Sequence, residues 1–288
     1  VVSGKGGTGK TSLTACLGQV AATPVVLADC DVDAANLALL LPGEDAPPEP
    51  FFAGRLPTLD EGACTACGEC VEACRFDALV GEPGETPRVD ELACEGCGVC
   101  AIVCPADAFT FFDKRVGRVL ERATGAGPLV HGALGIAEDN SGKLVARVRE
   151  RAREAARRAG IETVLIDGPP GIGCPVHAAL AGVDQVLAVT EPSASGVGDL
   201  RRLLALTRHF SLRVSVVLNK VGLSAAREAE VRDVAADAGG ELLGELPFDV
   251  RVPRALARGE SLLAVPGFEP LVREISRRLH EAGGASTS

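Results

Sequence analysis

Eight residues near the start restrict what this chain can become more than any other feature: Gly4-Lys5-Gly6-Gly7-Thr8-Gly9-Lys10-Thr11. The pattern G-x-x-x-x-G-K-[ST] works between a strand and a helix, because its glycines let backbone N–H groups turn inward onto an anion at the helix N-terminus. A helical run from about Thr11 to Ala22 follows the loop, and an apolar but short run precedes Ser3. That shortness, with the absence of Met, sets the expectation that further residues precede Val1. In such a loop Gly4, Gly6, Gly7, Thr8, Gly9 and Ser12 surround phosphate, Lys10 neutralises the β- and γ-phosphates and Thr11 ligates Mg²⁺. A glycine-rich turn without a ligand is the alternative, and the flanking strand and helix weigh against it.

Beyond the loop the chain alternates short apolar runs with helical ones. Strands are expected at Val25 to Asp29, Thr163 to Asp167, Gln185 to Val189, Val214 to Leu218 and Leu242 to Leu246. Helices fall between them, at Lys143 to Ala159 (closed by Gly160), Pro175 to Ala181, Gly196 to Phe210 and Ala225 to Ala238. Strands separated by helices of this length suit parallel pairing with right-handed crossovers. The fold class is therefore α/β, a doubly wound and mostly parallel sheet, and 47% hydrophobic residues is ample for its core.

The rhythm stops after Leu41. A stretch from Pro42 to Pro57, rich in Pro, Gly and acidic residues, reads as a connection leaving the domain, and eight of the eleven cysteines follow it. They form an internal repeat: at an offset of 30, Cys64, Cys67, Cys70 and Cys74 superpose on Cys94, Cys97, Cys100 and Cys104. Asp60, Glu61, Gly68, Asp77 and Ala78 also meet identical residues. C-x-x-C-x-x-C-x-x-x-C is the bacterial ferredoxin spacing, in which three cysteines wrap one [4Fe-4S] cluster and the fourth ligates the other. Cys64, Cys67, Cys70 and Cys104 are assigned to one cluster, and Cys94, Cys97, Cys100 and Cys74 to its neighbour. Zinc suits C-x-x-C pairs but does not call for the third and fourth cysteines, and no secretion signal supports disulfides. Arg75 stands where the second copy has Pro105.

Charge is concentrated in the same block. Residues 44–112 hold 14 acidic and three basic side chains, a net of −11, against −10 for the whole chain. A basic face on a protein partner is the complement of such a surface. No Trp or Tyr is present to stack on bases, so nucleic acid is not an expected partner. No apolar stretch approaches a membrane span, and the C-terminal helix around Leu271, Ile275 and Leu279 lacks the basic cluster of a surface anchor. A cytoplasmic protein without a membrane anchor is expected. His131, His177, His209 and His280 show no metal-like spacing, Cys16 is expected as a packed thiol, and the role of Cys174 stays open between a buried structural thiol, which is preferred, and a cluster contact.

Lys5, a second lysine in the loop, makes it similar to the deviant Walker-A ATPases of the MinD/ParA and nitrogenase iron-protein group. The resemblance implies that Lys5 reaches across an ATP-bound homodimer to the partner's nucleotide; a solvated loop charge is the plainer reading. Asp29-Cys30-Asp31 resembles the family segment in which an aspartate orients the attacking water, a role that falls to Asp31, with Asp33 and Asn36 in the first switch. Asp167-Gly168-Pro169-Pro170-Gly171 ends another strand, so Asp167 is placed to hold Mg²⁺ through water and Gly171 to sense the γ-phosphate. Asn219-Lys220 and Pro247-Phe248-Asp249 look like the family's adenine-contacting segments.

The whole chain resembles the MinD-superfamily P-loop ATPases that carry an inserted ferredoxin-like domain. Arg75-Phe76-Asp77-Ala78, Asn140-Ser141-Gly142-Lys143-Leu144-Val145 and Thr190-Glu191-Pro192-Ser193 share in the resemblance. It implies an ATPase domain over 1–55 and 113–288, interrupted by an α+β domain with two clusters over 56–112. The expected cofactors are ATP or ADP, Mg²⁺ and two [4Fe-4S] clusters, and the favoured function couples ATP hydrolysis to electron transfer. An iron–sulfur carrier, or a positioning ATPase with structural clusters, is the alternative.

Overall fold

Val25–Asp29, β1, is buried at all five positions, as a strand covered on both faces of a parallel sheet must be. It lies in a computed structural model that describes residues 1–82, 84–135, 138 and 141–284. Asn140, one of the resemblance positions, falls outside them.

The loop opens α1 (Lys10–Val20); β1 and a short helix α2 (Leu37–Leu40) follow. The stretch expected to be an irregular connection instead forms β2 (Gly43–Asp45) and β3 (Glu49–Leu59). Both pair with the same long strand further along the chain, and proline is tolerated where an N–H faces away from a partner. The cysteine block holds α3 (Glu69–Glu72), β4 (Leu79–Val80), β5 (Arg88–Val89) and α4 (Val99–Val103). Two strands that the apolar-run reading passes over come next, β6 (Phe109–Thr124) and β7 (Gly127–Leu134). In β6 the buried positions Phe109, Val116 and Val119 are outnumbered by exposed and charged ones, so it carries little hydrophobic signal.

The remainder follows the expected alternation: α5 (Ser141–Ala159), β8 (Thr163–Asp167), α6 (Cys174–Leu180), β9 (Gln185–Thr190), α7 (Ala194–His209), β10 (Arg213–Val221), α8 (Ala225–Asp237), β11 (Glu241–Pro247), α9 (Arg251–Ala257) and α10 (Phe268–Gly284). Gly160 takes φ 64 after α5, and the amide of Ile161 bonds back to the Ala156 carbonyl, so the helix stops where a left-handed residue is available.

Strands run in the order β2-β6-β7-β1-β8 in one sheet and β11-β10-β9 in another. Val2 and Ser3 join them through parallel bridges to Ala188 and Pro170. The short apolar run before the loop thus acts as the central strand position. β1 pairs parallel with β7 and β8, β10 pairs parallel with β9 and β11, and β2 pairs antiparallel with β6 at the edge.

Alternation along β9 distributes the core. Leu187 and Val189 pack with Leu13 and Leu17 of α1 and Val272 and Ile275 of α10, while Val186 and Ala188 pack with Leu180, Leu200 and Val231 of α6, α7 and α8. Each buried Leu or Val contributes about 1.5–3 kcal/mol, so α10 is held as a core helix. No described helix is long and apolar enough to cross a membrane.

The chain divides into two compact units. One comprises Val1–Glu49, Arg118–Leu134 and Ser141–Ser288, the other Pro50–Gly117 with the described part of 135–140. The smaller unit begins and ends a few residues outside 56–112, because β3 and the first half of β6 pair with each other and belong to it.

Candidate functional site

The sheet delivers the glycine loop and two acidic strand ends to one edge. Asp29 and Asp167 are register partners at the ends of β1 and β8, both fully buried, and Lys10 begins α1 opposite them. Two loop glycines are obligatory: Gly9 has φ 92 with the Asn219 amide against its α-carbon, and Gly4 lies against Asp199 where no side chain fits.

Lys10, 5% exposed, places Nζ 2.9 Å from Asp167 Oδ1, 3.9 Å from Asp31 Oδ2 and 3.2 Å from Thr11 Oγ1. Thr14 Oγ1, one turn along α1, donates to the same Asp167 oxygen at 2.9 Å. Asp167 Oδ2 and Thr8 Oγ1 are buried without any hydrogen-bond partner. Unpaired buried oxygens are costly, and both stand where a cation and a phosphate would satisfy them. The donor set of Thr11 hydroxyl and Asp167 carboxylate fits Mg²⁺, a hard ion that keeps most of its waters. Burial, then the neighbouring Asp167, pushes Asp29 up to about 7. Burial also raises Asp31, with Lys10 opposing.

Thr8, Lys10, Thr11 and Asp31 line an open cleft of about 700 Å³, together with the rest of residues 6–12 and Asp33, Asn36 and Pro170, while Asp29, Asp167 and Thr14 are buried behind that lining. Other expected residues stand elsewhere. Lys5 Nζ lies 2.5 Å from Glu191 Oε1 and 2.8 Å from Ser195 Oγ, folded onto its own chain. Asn219 Nδ2 donates to the Thr8 carbonyl at 2.7 Å, and Lys220 Nζ reaches the Gly7 carbonyl at 2.8 Å and Glu191 at 2.5 Å, so this pair braces the loop. The Gly171 amide donates to the Ser3 carbonyl. Pro247 ends β11, Phe248 is 47% exposed, and Asp249 pairs with Arg251. Lys5, Gly171, Asn219, Lys220, Pro247, Phe248 and Asp249 are not among the residues lining the cleft.

Three partners escape the sequence reading. Burial works against the charge of Glu191, yet hydrogen bonds from Lys220 and Lys5 hold it below the usual carboxylate range. Thr14 and Asp29 complete the buried cluster. Thr14 is signalled only by its position one turn into the helix, and Asp29 by its place in the Asp29-Cys30-Asp31 segment at the end of a buried strand.

In the smaller unit the repeat is visible as geometry. Gly68 and Gly98 precede α3 and α4 in the same left-handed conformation, and Asp60 and Asp90 accept matching amide bonds from the residues two and three further on. The copies are cross-linked, Asp60 N to Ala108 O at 2.8 Å and Asp90 N to Ala78 O at 2.7 Å. One pocket is lined by Cys64, Cys67, Cys70 and Cys104, the other by Cys94, Cys97, Cys100 and Cys74. Each is otherwise walled mainly by apolar or small residues, among them Leu59 and Phe109 in the first and Phe76 and Phe111 in the second. Among the described residues no three Cys, His, Asp or Glu side chains converge on a point as a single metal ion requires.

Against this geometry, the sequence profile of the CobQ/CobB/MinD/ParA nucleotide-binding domain matches residues 1–263. The chain belongs to that nucleotide-binding family. An uncharacterized protein of Methanocaldococcus jannaschii is 33% identical over 259 residues, spanning 89% of this chain and 86% of its own. Septum site-determining protein MinD of Pyrococcus horikoshii, solved with Mg-ADP, shares the fold: TM-score 0.56 at 18% identity, over 99% of this chain and 96% of that one. The Bos taurus cytosolic Fe-S cluster assembly factor NUBP2 is 31% identical over 121 residues, 36% of this chain and 44% of its own.

Proposed function

We propose that this protein binds and hydrolyses ATP, and that its nucleotide cycle is coupled to electron transfer through two [4Fe-4S] clusters held in the smaller unit. The observation that carries the reading is the crossed lining of the two cysteine pockets in a chain of a nucleotide-binding family. A donor set of four thiols in a mostly apolar wall fits a four-iron cluster, and bonds such as Ala66 N to Cys64 Sγ and Ala108 N to Cys104 Sγ, both 3.4 Å, suit sulfur carrying negative charge. Bound there, the clusters supply sites that store and release single electrons.

In the cleft, the loop amides and the N-terminus of α1 take the phosphates and Lys10 neutralises them. Thr11 and Asp167 hold Mg²⁺, Lys10 moving from Asp167 toward the phosphate oxygens. Asp31, at the mouth and 18% exposed, orients the attacking water. Gly171 is assigned to sensing the γ-phosphate. Asn219, Lys220, Pro247, Phe248 and Asp249 form the adenine side, with Asn219 and Lys220 also fixing the loop. ATP binding assembles a homodimer, and the acidic smaller unit recruits a redox protein through a basic face; neither nucleic acid nor a membrane anchor takes part.

Lys5 makes the dimer step testable. Its contact with Glu191 must open before it reaches a second subunit. Lys5→Ala is expected to weaken ATP-dependent dimerisation at least about tenfold while leaving ATP binding to the monomer intact, since one charge-assisted bond is worth roughly 1.5–3 kcal/mol. Light scattering with a slowly hydrolysed ATP analogue reads this, and unchanged dimerisation would remove Lys5 from the interface.

A second reading is favoured by the likeness to NUBP2: the clusters are cargo handed to an acceptor. A carrier gives up iron and sulfur to an apo-acceptor in the presence of a chelator. An electron-transfer protein retains both clusters under the same challenge.

A further inference from the structure

With Asp31 assigned to the attacking water, Asp29, two residues before it, is left without a task. Asp29 is fully buried, and its backbone is fixed on both sides by register pairing with His131 of β7 and Asp167 of β8. Its carboxylate does not point a free oxygen at the cleft and is not among the cleft-lining groups. Instead the two oxygens go to two places in the chain: Oδ1 accepts from the Asp31 amide at 3.1 Å, and Oδ2 from the Leu37 amide at 2.9 Å.

Those amides mark the two ends of one loop. Residues 31–36 leave β1 and enter α2, and Asp31, Asp33 and Asn36 from this loop line the cleft. Between those ends the loop has a turn from Ala34 N to Asp31 O at 2.9 Å and a longer bond from Leu134 N to the Val32 carbonyl at 3.4 Å. Leu37 is the first residue of α2, and the residue preceding it, Asn36, makes no side-chain cap bond. An uncapped first turn leaves orphan N–H groups, and here the cap comes from a strand end eight residues earlier.

We infer that Asp29 is a positioning residue that clasps both ends of the 31–36 loop and thereby sets Asp31 at the cleft without touching the substrate. This rests on the reading of Asp31 as the group that orients water. Replacing the carboxylate by an amide removes one of its two acceptors, so Asp29→Asn keeps the shape of the side chain and releases one end of the loop.

The test is a double-mutant cycle in steady-state ATP hydrolysis, combined with amide hydrogen exchange on the wild-type protein. Asp29→Asn should lower kcat by about tenfold to 100-fold with KM for ATP changed less than about threefold, because Lys10 and the loop amides remain. In the Asp31→Ala background Asp29→Asn should cost nothing further in kcat, since a residue that acts through Asp31 has no effect once Asp31 is gone. Exchange should find the Asp31 and Leu37 amides protected and the Asp33 amide fast. Full kcat in Asp29→Asn, losses that multiply across the two substitutions, or fast exchange at Asp31 and Leu37 in the wild type would each overturn the clasp. Undiminished turnover in Asp31→Ala would instead defeat the reading of Asp31, and the exchange pattern would still decide whether Asp29 closes the loop. Should Asp29→Asn fail to fold, wild-type exchange alone carries the decision.

Discussion

Lys10→Ala is expected to abolish productive nucleotide binding, lowering the affinity for MgATP by about 100-fold or more and turnover to background. The size follows from what surrounds the ammonium. Lys10 Nζ stands 2.9 Å from Asp167 and 3.9 Å from Asp31, so two carboxylates share one cation. Without Lys10 the arriving triphosphate meets those carboxylates with only Mg²⁺ between them. The substitution also leaves Asp167, 0% exposed, without its partner, a loss of about 3–5 kcal/mol for a broken buried pair. Calorimetric titration with MgATP, alongside a thermal melt to show that the variant is folded, reads both effects. A folded Lys10→Ala protein that binds MgATP within about threefold of wild type would contradict the assignment.

Cys104→Ser and Cys74→Ser should each damage the cluster seated mainly on the opposite repeat. Wild-type protein purified without oxygen is expected to carry about eight iron atoms, two clusters of four. The pocket linings place Cys104 with Cys64, Cys67 and Cys70, and Cys74 with Cys94, Cys97 and Cys100. Cys104→Ser should therefore share its altered paramagnetic resonance spectrum with Cys64→Ser, and Cys74→Ser with Cys94→Ser. A serine oxygen is a poorer ligand for the cluster iron than thiolate, so the affected cluster should be lost or shifted while its neighbour persists. Pairing of Cys104→Ser with Cys94→Ser would mean uncrossed ligation. Zinc with negligible iron in reconstituted protein would remove the clusters altogether.

The parts of the fold that a linear reading finds are those where local pattern and tertiary role agree. β1 and β8 to β11 each carry a short apolar run, fully buried in β1 and interrupted by Ser215 in β10 and by Gly244 and Glu245 in β11, and α7 and α8 are capped by Ser193 and Ser224, whose hydroxyls accept from the third residue on. β6 escapes because its 16 residues include many charged ones, and β2 and β3 because prolines at 42, 47, 48, 50 and 57 read as a break. The approach of Lys10 to Asp31 and Asp167 follows from a loop motif, the residues just after β1 and the end of β8 having fixed places in this topology. The bracing of Thr8 by Asn219 spans 211 residues, and the bridge of Glu191 between Lys5 and Lys220 depends on a strand end arriving beside the loop. Neither has a local signature. Asn219 is expected at an adenine site on the strength of a family resemblance alone, and its contact with the loop backbone is a feature of three-dimensional approach.

Coupling between nucleotide and electrons is the central claim, and it accords with the chain order: the smaller unit begins at Pro50, beyond the 31–36 loop, α2 and β2, and the chain has returned to the larger unit before β8 and Asp167. If ATP changes how the clusters are held or presented, linkage requires that their redox state change the affinity for nucleotide by the same factor. An anaerobic redox titration of the reconstituted protein, run in parallel with MgATP and MgADP and followed by the rate of electron delivery to an acceptor protein, tests this most directly. A nucleotide-dependent shift in potential, or a delivery rate that differs between the two states, is the result expected. Identical potentials together with identical delivery rates would contradict it.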